Sequence, residues 1–102
     1  MALMNLTIIP LGTGSPSVRD HIVHVVSFLE ASGVSFKVGD MGTVLEGEPC
    51  DLFNLVNGIN ESLFSRGLER VVCQITLDVR TDKTTSIGDK VHAVFSDNQS
   101  KY

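Results

Sequence analysis

Ten residues in the middle of the chain, Gly39-Asp40-Met41-Gly42-Thr43-Val44-Leu45-Glu46-Gly47-Glu48, gather side chains suited to holding a small molecule. Glycine turns the backbone through positive φ and lets a ligand approach the main chain. Met41 supplies an adaptable apolar wall. Thr43 supplies a hydroxyl, and a carboxylate beside them can fix one polar end of a ligand. The stretch reads as the tip and second arm of a β-hairpin. A second glycine-hinged segment, Gly12-Thr13-Gly14-Ser15-Pro16-Ser17, is a loop by composition. The remainder reads as scaffold that holds the hairpin beside this loop. The candidate site is Gly12, Thr13, Ser15, Ser17, Met41, Gly42, Thr43 and Glu46.

Other constellations carry less chemistry. Gly12–Ser15 can cradle a phosphate at a helix N-terminus. It lacks the P-loop lysine and the full dinucleotide fingerprint, so the phosphate of a phosphorylated ligand suits it better than a nucleotide. His21 and His24 share a helix face but have no third metal ligand nearby and no HExxH spacing. They are expected at a surface or an interface. No nucleophile elbow, metal set or spaced acid–base pair occurs, so the chain is read as a non-enzyme. Asp78, Arg80, Asp82 and Lys83 alternate in sign and are expected to pair at a strand end or across a subunit boundary.

Composition narrows the classes further. The chain has 102 residues, 42% hydrophobic and 20% charged, which fits one globular domain over residues 1–102 with a modest core. A net charge of −4 argues against nucleic acid and, less strongly, against an anionic membrane. No apolar run approaches the roughly 20 residues that span a bilayer. Met1–Asn5 lacks the basic and apolar regions of a signal peptide. The expected location is therefore cytoplasmic, where Asn5-Leu6-Thr7 and Asn60-Glu61-Ser62 have no meaning as glycosylation sites. Cys50 and Cys73 are expected to be buried free thiols.

The elements that must position the site follow from periodicity. Met4 to Leu11 alternates as a strand, with Pro10 stopping it or leaving it open there. Ser17 with Asp20 caps a helix whose stripe is Val18, Ile22, Val25, Val26 and Leu29, closed by Gly33. Phe36 and Val38 mark a short strand, and Thr43 to Glu48 forms the next. Pro49 begins a helix carrying Leu52, Leu55, Val56, Ile59 and Leu63, ended by Gly67. Arg70 to Arg80 is the clearest strand: Val71, Cys73, Ile75, Leu77 and Val79 face one side. Ser86 with Asp89 caps a short final helix through Phe95, and Asp97–Tyr102 is expected to fray.

This order, βαββαβ plus a helix, predicts an α+β ferredoxin-like sandwich: a four-stranded antiparallel sheet with two helices on one face and a short C-terminal helix. Thr7, Ile9, Val72, Gln74 and Thr76 form the opposite face, with no helix of its own. That face is a candidate subunit interface, the alternative being a solvated sheet face.

Ile9-Pro10-Leu11-Gly12-Thr13 with Ser17, Ser32-Gly33, Met41-Gly42-Thr43, Glu46-Gly47, Arg70-Val71 and Asp78-Val79-Arg80-Thr81-Asp82-Lys83 occur in that order over nearly the whole chain. Together they resemble the short, single-domain branch of the YkoF-like thiamine-binding superfamily. The chain departs from the pattern at Asn60-Glu61, where the family has His-Glu, and at Val79 and Thr81 in the strand end. The resemblance implies a ferredoxin-like fold in homodimers or homotetramers. It also implies binding of thiamine or its hydroxymethylpyrimidine moiety, with no catalysis and no required cofactor. The Pro-x-Gly-Thr loop falls on Pro10–Thr13, and the Met-Gly-Thr and Glu-Gly signatures fall on Met41–Thr43 and Glu46–Gly47.

An aminopyrimidine needs an acceptor for its amine, a donor for a ring nitrogen and apolar walls. Glu46, Thr43, Thr13 and Met41 supply those types. The expected function is a small-molecule carrier, buffer or sensor. The alternative is a ligand-responsive regulatory oligomerisation module acting on a protein partner.

Overall fold

The computed structural model describes residues 1–12 and 19–97. The expected cap at Ser17, the stripe position Val18 and the fraying of residues 98–102 lie outside the described residues, as do Thr13 and Ser15. The described elements are β1 (Ala2–Leu11), α1 (Arg19–Ser32), β2 (Ser35–Val38), β3 (Thr43–Gly47), α2 (Pro49–Ser65), β4 (Arg70–Val79) and α3 (Asp89–Asp97). None of these helices is long and apolar enough to cross a membrane.

The four strands form one antiparallel sheet in the order β2-β3-β1-β4. β1 and β2 both run against β3, so they are parallel to each other with β3 between them. This is the split βαβ arrangement of the ferredoxin-like fold, as the periodicity predicts. α1 leaves through Gly33, whose φ of +79° suits the left-handed turn that ends a helix. α2 starts with Pro49 in its first turn, where a missing N–H costs nothing.

Alternation decides which side of the sheet is covered. Met4 and Leu6 of β1 and Leu45 of β3 share one face, against Val25 and Leu29 of α1 and Leu52, Val56, Ile59 and Leu63 of α2. Leu77 and Cys73 of β4 pack on the rim of this cluster, while Ile75 and Val79 are exposed because the helices do not reach them. Pro10 does not stop β1. Beyond Leu6 the strand pairs with β4 alone, so one flank is free and Pro10 is accommodated opposite Val71.

The other sheet face, expected to have no helix of its own, is covered over part of its area, at Leu3 and Val44. The segment after β4 turns back over it. Ser86, Ile87 and Val91 border a cavity floored by Leu3 and Val44. Thr85 is buried, Ile87 N–H donates to Glu46 Oε1 at 2.7 Å, and Lys90 pairs with Asp78. Thr81–Thr85 is the length of polar chain that makes this return possible. Asp89 accepts from Ser86 N–H at 2.7 Å, the acidic half of the expected cap.

Leu45 is fully buried, so Leu45→Ala should lower unfolding free energy by about 2–5 kcal/mol in a urea titration. Val79→Thr, at an exposed position of β4, should stay within about 0.5 kcal/mol of the unsubstituted protein in the same titration.

Candidate functional site

Thr43 opens β3 opposite Leu6 of β1 and Val38 of β2, so its side chain shares the helix-facing side of the sheet. The hairpin tip before it is tied down twice. Gly39 N–H donates to Gly42 O at 2.8 Å, and the Thr7 hydroxyl donates to Met41 O at 3.1 Å. A Cβ at Gly42 would lie 2.9 Å from Asn5 Oδ1 and 3.0 Å from Thr7 Oγ1. Glycine is required there for close approach to β1, not for a left-handed φ.

Between this tip and α1 lies a cleft of about 330 Å³, at the small end of ligand-sized pockets. Its walls are Leu6 and Ile8 of β1, Ile22, Val25 and Val26 of α1, and Val38 of β2. Asp40, Met41, Gly42 and Thr43 complete it. Thr43 is half-buried, and its hydroxyl makes no hydrogen bond among the described residues. The cleft therefore combines an aliphatic slot, one unengaged hydroxyl and one exposed carboxylate, Asp40, beside a flexible thioether. It can hold a flat or partly apolar small molecule by burial and orient it by hydrogen bonding.

Three of the sequence-derived site residues, Met41, Gly42 and Thr43, come together here. Glu46 does not. It stands three positions along β3 from Thr43, so its side chain takes the other sheet face, where Oε1 accepts from Ile87 N–H. Its backbone neighbourhood, with Gly47, borders a separate cleft of about 450 Å³ between the end of α1 and the start of α2. Gly12 is also elsewhere, beside Leu11, Gly67, Glu69 and Arg70. It is five residues past Thr7, roughly 17 Å along an extended strand. Thr13, Ser15 and Ser17 lie outside the described residues. The expectation that Glu46 would meet an amine next to Thr43 is therefore corrected by strand alternation, and Asp40 is the acidic residue at the cleft.

The remaining candidates are accounted for locally. His24 Nε2 and Ser62 Oγ are hydrogen-bonded across α1 and α2, whereas His21 Nδ1 is buried without a hydrogen-bond partner among the described residues. Arg80 pairs with Asp82 at the end of β4, and Lys90 lowers the Asp78 carboxyl below its usual range. Among the described residues no three His, Cys, Asp or Glu side chains form a cluster that could hold a metal. Cys73 is half-buried, its thiol within 3.4 Å of Asn60 Oδ1. Cys50 is exposed, a correction to the expected burial: directly after Pro49 it sits in the first turn of α2, off the stripe that starts at Leu52.

Residues 4–95 match the family model described as thiamine-binding protein. The chain is 40% identical over 98 residues to the protein YqgV of Bacillus subtilis, covering 92% of this chain and 94% of that one. A solved structure of a hypothetical protein from Methanocaldococcus jannaschii superposes with a TM-score of 0.80 at 27% identity, covering 91% of this chain and 94% of that one. A Thermotoga maritima protein, provisionally assigned to thiamine biosynthesis or salvage, shares the fold with a TM-score of 0.78 at 20% identity, covering 91% and 97%.

Burial pushes the Cys73 thiol above its ordinary value, so this thiol stays protonated to higher pH than an exposed one. Iodoacetamide at pH 8 should modify Cys50 at least about tenfold faster than Cys73, as read by peptide mass spectrometry.

Proposed function

The chain belongs to the thiamine-binding protein family, and we propose from that premise that it binds thiamine, or its hydroxymethylpyrimidine part, in the cleft between the hairpin tip and α1. The observation that carries this reading is the half-buried Thr43 on the wall of an apolar cleft, whose hydroxyl makes no hydrogen bond among the described residues. The flat pyrimidine ring lies against Leu6, Ile22 and Val26 with Met41 folding over its other face. Thr43 donates to a ring nitrogen. Asp40 at the mouth accepts from the exocyclic amine or faces the positive thiazolium.

This reading needs no cofactor beyond the ligand and assigns no reaction. The protein acts as a carrier, buffer or sensor of its ligand in the cytoplasm. The uncovered part of the sheet, around Ile9 and Val72, serves as the contact of a homodimer or homotetramer. A regulatory role toward a protein partner is the second reading. Its support is the exposed apolar surface at Val94 and Phe95 of α3, of the kind that partners cover.

Isothermal calorimetry against thiamine, hydroxymethylpyrimidine and their phosphates tests the proposal. Thr43→Val removes the hydroxyl at nearly constant shape. It should weaken binding about three- to tenfold, the range of one lost hydrogen bond, with the melting temperature unchanged. Asp40→Asn should weaken thiamine more than the uncharged pyrimidine. No heat from any of these ligands at millimolar concentration would sink the reading.

A further inference from the structure

Glu46 belongs to the Glu-Gly piece of the sequence pattern, yet it does not line the cleft. Its carboxylate accepts from the backbone of Ile87, forty-one positions later in the chain, at 2.7 Å in a half-buried setting. The segment held in this way, Thr85 to Val91, lies over β1 and β3 with a cavity of about 280 Å³ beneath it. Lys90–Asp78 is its second polar tether, and that ion pair is largely exposed. Among the described side chains of α3, none is buried in the core.

Gly39 and Gly42 border this cavity, and the same two residues border the candidate ligand cleft on the opposite side. At these two glycines, which carry no side chains, only backbone separates the two spaces. Gly42 is already packed against Asn5 and Thr7 without room for a methyl group. A ligand that presses on the tip from the α1 side therefore changes what the C-terminal segment meets on the other side.

We infer that Glu46 is a positioning residue that clamps the C-terminal segment across the sheet, and that this segment responds to occupancy of the hairpin cleft. The inference rests on the ligand reading above. Ligand in the cleft firms the tip and so favours the docked segment. By linkage, the docked segment favours ligand by the same factor.

Hydrogen exchange of the peptide spanning residues 84–91, measured with and without saturating thiamine, is paired with thiamine calorimetry on each variant. Saturation should slow exchange of this peptide about fivefold or more. Glu46→Ala should speed exchange at Ile87 about tenfold in the free protein, the effect of losing a hydrogen bond to a charged group. It should also weaken thiamine about fivefold. Glu46→Gln keeps an oxygen that accepts from Ile87 N–H and should retain most of both properties. Lys90→Ala, at the exposed tether, is the second variant if Glu46→Ala does not fold. It should shift exchange and affinity in the same directions by smaller factors. Full thiamine affinity in a variant whose segment exchanges faster overturns the coupling, as does unchanged exchange at saturation. If thiamine gives no heat while Glu46→Ala still frees the segment, the ligand reading and the coupling fall together and the clamp alone stands.

Discussion

Leu6 of β1 faces Thr43 of β3 on one side and Ile75 of β4 on the other. This register fixes which residues of the central strand are dry. Met4 and Leu6 enter the core, and Leu3, Asn5 and Thr7 take the opposite face. A slip of one residue would exchange the two sets, placing Asn5 and Thr7 against the aliphatic surface of α2. Burying those polar groups unpaired would cost several kcal/mol, on the order of a large share of a small domain's stability. The same register brings the hairpin tip over Thr7, so that its hydroxyl reaches Met41 O. The cleft exists because core packing and tip docking are satisfied by one alignment.

The parts of the fold with strong periodicity were legible in the sequence. β4 alternates through ten residues, and the α2 stripe from Leu52 to Leu63 is buried as its spacing requires. Gly33 ends α1 where a glycine after the last periodic residue places it. Strand number, order and fold class follow from these.

The site was half legible. Met41, Gly42 and Thr43 are adjacent in sequence, and the hairpin keeps them adjacent in space. Glu46 was misplaced although a signal was available: on a strand, positions three apart fall on opposite faces. Reading Thr43 and Glu46 as one constellation treated chain proximity as if it were shared orientation. Gly12 was misplaced for a different reason. Pro10 was expected to stop β1 or to leave it open there, and the second holds: β3 begins at Thr43 opposite Leu6, so the flank of β1 at Pro10 has no strand to donate to. The ladder to β4 therefore continues to Leu11 and carries Gly12 away from the hairpin. The return of residues 85–91 over the open face had no periodic signal. It depends on Glu46 and Ile87, residues far apart in the chain whose pairing only three dimensions reveal.

Stability is unevenly spread as a result. α2 anchors through four buried side chains, whereas no described side chain of α3 is buried, and the segment leading into it is tied by the Ile87 N–H to Glu46 Oε1 and by the exposed Lys90–Asp78 pair. Segments with few buried apolar contacts open at low free energy. The hairpin tip lies between these regimes: its base is Leu45, fully buried, and its apex is Met41, 87% exposed. A cleft bounded on one side by rigid core and on the other by such an apex can close on a ligand without disturbing the sheet. The arrangement therefore sets an exposed apex on a base that belongs to the core defining the register.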